Sequence, residues 1–510
     1  MFHRSFFIRF ANGLRVAKNG YTKTRLSGST ARPPRTYGHR MTMDPVFLSR
    51  IQFGLTVTFH IIFPTMSIGL ATFLAITEGL WLKTRDELYL RIYRFWLTVF
   101  ALGFGVGVVS GIVLSFEFGT NFAGFARLAG PVIGPLIALE VLTAFFLEAG
   151  FLGIMLFGMS RVGPKLHFFA TLMVALGTTI SASWILAANS WMHTPDGVVY
   201  DAVAHQFHVI DRLRVIFNPS YLYRLPHMLI AAWISASFLV AGVGAYYLLR
   251  RVHLDFARRT FSMGLGFASI AIALQLPVGD TLGFRMFDYQ PAKFQAMEGY
   301  WDSTPRAPYL LFITPHQSEA RNGTQLGIPF LGSLIVTHSF DGTVPGLKNT
   351  PAGNRPPMAP VFYAFRTMFL LGLTMFAVAC MSVWLRLRNR LFVATWFHRL
   401  VQYMMPVGFI ATIAGWYTSE IGRQPWVVYG YLRTADAVSP VPGSNVMFST
   451  VLFALTYALF LAAFIGITAR VIRRGPSAAS DAAPYSASLK PVLMPAPATA
   501  GHIEPSGENR

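Results

Sequence analysis

Long apolar runs separated by short polar links organise the chain. Nine runs reach the ~20 residues that a membrane helix needs, at about 47–80, 93–118, 132–159, 166–191, 222–249, 260–284, 360–386, 397–420 and 446–470. The pattern predicts an all-α polytopic membrane protein with about nine transmembrane helices. The links then alternate in charge. "LKTRDELYLRIYR", "SRVGPK", "LRRVHLDFARR", "RLRNR" and "RVIRR" are basic and fall on one side of a nine-span chain. The positive-inside rule puts those links in the cytoplasm, the N-terminus outside and the C-terminus inside.

Composition agrees with this reading. Hydrophobic residues are 53% of the chain and charged residues 13%, which excludes an ordinary soluble domain. The formal charge of +20 is spread over the links, so topology accounts for it and no nucleic-acid partner is expected. A single cysteine, Cys380, excludes a disulfide framework, a thiolate metal site and covalent haem attachment. Any cofactor must be held by His, Met or carboxylate.

The expected organisation is a basic disordered extension at 1–42, six spans within 43–284, an outer loop at 285–359, three spans within 360–475 and a disordered cytoplasmic tail at 476–510. The extension carries nine Lys and Arg and no acid, which resists transfer to the outer side, and "MDPVFLSRIQF" at Met43 reads as an alternative start.

Of thirteen histidines, only His60 and His227 lie well inside spans; His193 and His167 fall at span edges. Intramembrane histidines serve interhelical hydrogen bonding or ligation of haem iron. His227 in the fifth span and Met368 in the seventh lie at similar depths from the outer side, and a His/Met pair is one of the ways a six-coordinate haem is held, although Met is frequent in this chain and usually packs. Arg366 in "YAFRTM" is placed to meet a haem propionate. Glu140 and Glu148, eight residues apart in the third span, form a carboxylate ladder suited to a proton relay, and Ser181 extends it. Interhelical glue is the bland alternative. Glu117, at the outer end of the second span, suits anchoring as well as chemistry.

"GWYTSEIGRQPW" puts Glu420 on a last helical turn, where it can face a metal, with Arg423 and Gln424 beyond it to bind propionates and Pro425 ending the helix. An interfacial salt bridge with a Trp426 belt anchor reads equally well. The outer loop opens with "YQPAKFQAMEGYWD", holding Lys293 and Glu298, and joins the sixth span to the one bearing Met368.

Together with "SRIQFGLTVTFH", "FEFGTN", "AFFLE" and "ISASWILAANSWM", these segments resemble subunit I of the cytochrome bd quinol oxidase family from Met43 to about Gly475. The loop is similar to the short-loop, cyanide-insensitive branch. The resemblance implies a low-spin haem b on His227 and Met368, with Arg366 beside it, a high-spin haem b, and a third high-spin haem of d or b type. His60 and Glu420 match ligands of the two high-spin haems, with the assignment between them open. Trp416, Arg423, Gln424 and Trp426 match the haem surroundings. Glu140, Glu148 and Ser181 match the proton path, and Lys293 and Glu298 the quinol site.

The implied function is oxidation of ubiquinol or menaquinol at the outer face of the bacterial inner membrane, with O2 reduced to water by cytoplasmic protons and no pumping. A homologous haem-free subunit II, and in some members single-span accessory chains, are the implied partners. A b-type cytochrome that relays quinol electrons without reducing O2, and a haem-free transporter, are the alternatives.

Overall fold

The computed structural model describes residues 44–476. The expectations for 1–42 and for the tail after Pro476 fall outside the described residues. Helices dominate: α1 (Pro45–Thr84), α2 (Glu87–Thr120), α3 (Ala123–Phe157), α4 (Pro164–His193), α5 (Tyr221–Arg250), α6 (Leu254–Tyr289), the short α7 (Pro291–Glu298), α8 (Met358–Leu387), α9 (Thr395–Tyr403), α10 (Val407–Ile421) and α11 (Gly443–Arg474). All but α7, α9 and α10 are long and apolar enough to cross a membrane, eight helices in all among the described residues.

The run expected as one span at 397–420 is broken into α9 and α10. Pro406 at the junction has no N–H to donate, and its ring obstructs the preceding turn. The Met405 side chain fills the space over Gly242 of α5, where an added Cβ would lie 2.0 Å from its Cγ. The pair still covers the eighth predicted run.

Local sequence sets the helix ends. Asp44 caps α1 by accepting from Val46 N at 3.1 Å, with Pro45 in the first turn, where a missing N–H costs nothing. Arg85 ends α1 in a left-handed conformation, and Asp86 caps α2 through Leu88 N at 2.9 Å. Pro164 opens α4 in the same way as Pro45 opens α1.

α5 lies at the centre, packed on α6, α1, α9, α10 and α4. Small residues let backbones approach, as membrane packing favours. A Cβ on Gly69 of α1 would sit 2.3 Å from Ala236 Cβ, and one on Gly244 would sit 2.7 Å from Phe261 N of α6. Phe63, Trp96, Phe100, Phe238, Phe256 and Phe261 fill the buried core around these contacts. α11 is peripheral and leaves Phe448, Leu455, Leu459 and Ile465 exposed.

One end of the bundle is covered by folded links. The hairpin β1 (Val198–Asp201) and β2 (Gln206–Val209) follows α4. Beyond α7, the antiparallel pair β3 (Tyr309–His316) and β4 (Arg321–Ile328) closes over α8, where Trp301, Leu310, Ile313 and Leu347 pack with Phe362 in a separate small core.

Candidate functional site

Under those links, the C-terminal ends of α4 and α10 meet the N-terminal end of α5 and the inner face of α7. Glu420 is on the last turn of α10, as expected, and α10 stops at Ile421, ahead of Pro425. Its carboxylate accepts from Asn189 Nδ2 at 2.9 Å and pairs with Arg423. His193 Nε2 lies 3.2 Å from the same carboxylate, and its Nδ1 lies 2.9 Å from Lys293 Nζ. A neutral ring protonated at Nε2 serves both neighbours, donating to the carboxylate and accepting from the ammonium. Arg224 completes the cluster, donating to Asn189 Oδ1 at 2.6 Å and Ser419 Oγ at 2.8 Å.

The charges in this cluster do not balance. Arg224, Arg423 and Lys293 face one carboxylate, and Arg423 Nε and Nη1 are buried without a hydrogen-bond partner. Burial, then the Arg224 guanidinium, push the Lys293 ammonium well below the usual lysine range, against the pull of Glu420. Surplus buried cations with orphaned donors fit the acid groups of a bound cofactor.

Arg366 of α8 has a different environment from the expected one. Its Nη2 pairs with Glu298 of α7 at 3.1 Å, its Nε donates to Leu310 O at 2.6 Å, and its guanidinium lies 4.2 Å from the Tyr309 ring centroid. Glu298 therefore already supplies a carboxylate, while Nη1 remains buried and unpartnered. The two loop residues face different elements: Lys293 reaches α4 and Glu298 reaches α8.

The histidines inside the spans are each oriented through one nitrogen. His60 Nδ1 lies 3.0 Å from Ser110 Oγ, and the ring sits against Gly111 of α2, where a Cβ would approach to 3.1 Å. His227 Nδ1 lies 3.1 Å from Gln275 Nε2 and beside Gly279, both on α6. Ser110 Oγ donates to the Val106 carbonyl and accepts from His60 Nδ1, which leaves Nε2 of that ring for a metal, whereas the Gln275 amide donates to His227 Nδ1 and fixes the ring's orientation. Met368 points instead at α10, where a Cβ on Gly415 would lie 2.8 Å from its Sδ. Among the described residues no three His, Cys, Asp or Glu side chains converge as a metal site. Isolated donors of this kind suit an iron whose equatorial positions a porphyrin fills.

Glu140 and Glu148 both face α4. Ser181 donates to Glu140 Oε1 at 2.7 Å, and Glu148 lies over Gly177, where a Cβ would come within 2.5 Å of its Cγ. Eight residues of regular α-helix would leave the two about 80° apart. Val141–Phe145 forms a π segment between them, which turns less per residue and brings both carboxylates round to the same neighbour.

The remaining predicted positions take supporting places. Trp416 lies 6.5 Å from the Phe53 ring of α1, Gln424 accepts from Thr434 at 2.7 Å, and Trp426 stacks under Arg433 at 4.6 Å. Glu117 is a buried staple, accepting from Thr56 at 2.8 Å and Gln52 at 3.3 Å.

Sequence reasoning left out Asn189, His193 and Arg224. The first two are one turn apart at the end of α4, a spacing that marks a shared face, but nothing along the chain tied that face to Glu420.

The family described as Cytochrome bd terminal oxidase subunit I matches residues 48–476. "Cytochrome bd-II ubiquinol oxidase subunit 1" of Escherichia coli is 31% identical over 507 residues, covering 86% of this chain and 99% of its own. "Cytochrome bd ubiquinol oxidase subunit 1" of Bacillus subtilis is 34% identical, covering 85% of this chain and 94% of its own. The solved bd oxidase of Geobacillus thermodenitrificans superposes with a TM-score of 0.79 at 32% identity, over 85% of this chain and 99% of that one. The chain belongs to the cytochrome bd terminal oxidase subunit I family.

Proposed function

We propose that this chain is the haem-bearing subunit of a quinol:oxygen oxidoreductase of the bacterial inner membrane. His227 and Met368 hold a low-spin haem b; His60 and Glu420 serve a high-spin haem b and a third haem of d or b type. When bound, haems supply one-electron steps and an open iron position for O2. The observation that carries this reading is the orientation of His60 through Ser110, an acceptor at Nδ1 that leaves Nε2 for iron, the support that ligating imidazoles characteristically receive.

Quinol, as ubiquinol or menaquinol, binds at the outer loop. Lys293 orients one of its oxygens and Glu298 takes its proton, which leaves on the outer side. Protons for water come from the cytoplasm, with Glu148 and Glu140 receiving them in turn and Ser181 holding the upper carboxyl by its hydroxyl. Quinol protons released outside and water protons taken from inside separate charge without pumping. The basic links of the chain support that orientation. A homologous haem-free subunit II, with single-span accessory chains in some assemblies, covers the apolar faces left exposed by α11 and its neighbours.

The direct test is a reduced-minus-oxidised spectrum of the purified complex with haem extraction, followed by quinol-driven O2 uptake. Bands of b-type haem with O2 uptake are expected, and a red chlorin band identifies a d haem at the third position. A colourless complex overturns the proposal.

Gly177→Ala gives a local check. The new methyl displaces Glu148, and turnover is expected to fall about tenfold, because a displacement of this size at a transfer step is costly. Unchanged turnover with an intact haem spectrum would remove Glu148 from the path.

A further inference from the structure

Below the carboxylate ladder, at the opposite end of the bundle from the outer loop, a second titratable pair is sealed between α1, α2, α3 and α4. Glu78 of α1 and His167 of α4 are 0% and 1% exposed. Glu78 Oε1 lies 2.6 Å from His167 Nδ1, and Glu78 Oε2 accepts from Thr171 Oγ1 at 2.5 Å. Thr171 is joined to Tyr93 Oη of α2 at 3.0 Å, and His167 Nε2 faces the Met155 carbonyl of α3 at 3.2 Å. Its hydrogen-bond partners, Thr171 and Met155, and Tyr93 beyond Thr171, are none of the residues assigned to quinol, haem or the ladder.

Its place along α3 and α4 gives it a direction. Met155 and Glu148 are seven residues apart on one face of α3, roughly 10 Å along the axis. On α4 the order from the basic-link end is His167, Thr171, Gly177, Thr178 and Ser181. The α3/α4 seam thus meets Glu78 and His167 first, then Glu148 over Gly177, then Glu140 on Ser181. Holding an acid and an imidazole this deep is costly, and membrane proteins retain such groups where protons move.

We infer that the Glu78–His167 dyad is the cytoplasmic loading station of the Glu148–Glu140 path. One proton is shared between Glu78 Oε1 and His167 Nδ1. Passing it inward along the seam leaves an ionised carboxylate opposite a neutral ring. Uptake of the next proton from the cytoplasm re-forms the O–H or N–H bond, so the dyad ends each cycle with its charge unchanged. Transient water carries the proton over the roughly 10 Å to Glu148, a stretch where Thr171 and Thr178 offer hydroxyls.

This inference rests on the oxidase reading and membrane orientation proposed above. The test uses the assembled complex in proteoliposomes, comparing wild type, Glu78→Gln, His167→Gln, the double variant and Glu148→Gln. Each single variant is expected to lower quinol-driven O2 uptake by about tenfold or more, the scale of a lost proton-transfer group. Haem content and the rate of haem reduction by quinol should stay at wild-type values, a combination that a packing defect does not produce. The double variant should be no slower than the slower single one, because the two residues serve one step.

Turnover within twofold of wild type overturns the inference. Loss of haem or of the assembled complex in both single variants also overturns it, assigning the pair to helix packing. If wild type shows no quinol-driven O2 uptake, or Glu148→Gln is fully active, the underlying oxidase or ladder reading fails instead.

Discussion

His227→Ala should abolish quinol-driven O2 uptake to background and remove the low-spin b-type bands. The imidazole is held by Gln275 at Nδ1 and packed beside Gly279, and it is the only imidazole on α5. Met368 on α8 supplies only a neutral thioether, which is a weak partner on its own. Without His227 the proposed first acceptor of quinol electrons is lost, although the high-spin bands near His60 should survive because that residue is on α1 and is held by Ser110. Gln275→Ala is the graded control: loss of a supporting hydrogen bond is expected to cost about 10–100-fold in haem affinity. Retention of more than a tenth of wild-type uptake in His227→Ala would remove it from the electron path.

The second large effect concerns the Glu298–Arg366 pair. Their side chains are 5% and 3% exposed, and the guanidinium is walled by Tyr309, Phe362 and Phe365. Glu298→Leu leaves a buried, unpaired cation and is expected to cost about 3–5 kcal/mol of loop stability. The measurement is protease sensitivity of the outer loop together with the quinol KM. Removing both charges, as Glu298→Leu with Arg366→Met, should restore much of the protease resistance, because a packed apolar pair replaces an ion pair at little net cost. It should not restore quinol oxidation, since the loop carboxylate proposed to take the proton is gone. Restoration of both properties would reduce Glu298 to a structural anchor.

The loop result bears on how far the chain could be read. Arg366 was legible as a buried cation needing an anion, but its partner lies 68 positions away in the sequence. A helix within a membrane is apolar nearly all round, so periodicity does not say which neighbour a side chain faces. The same limit hid Glu78, which lies within a predicted span but has its partner on α4. It also hid His193, which hydropathy assigns to a span edge and the fold turns toward Glu420 and Lys293.

By itself the sequence determined the membrane class, nine apolar runs, the chain's family through ordered motifs, and the chemistry available at His60, His227, Met368, Glu140, Glu148 and Glu420. Hydropathy does this because the cost of burying backbone and charge in lipid is local and additive along the chain. Tertiary structure alone decided the break at Pro406 between α9 and α10 and the π segment that turns Glu140 and Glu148 toward α4. It also decided the charge cluster around Glu420 and the pairing of Glu78 with His167. Those features depend on the direction of a side chain and on which helix lies opposite it. Packing of distant segments sets both, and no window along the sequence contains them.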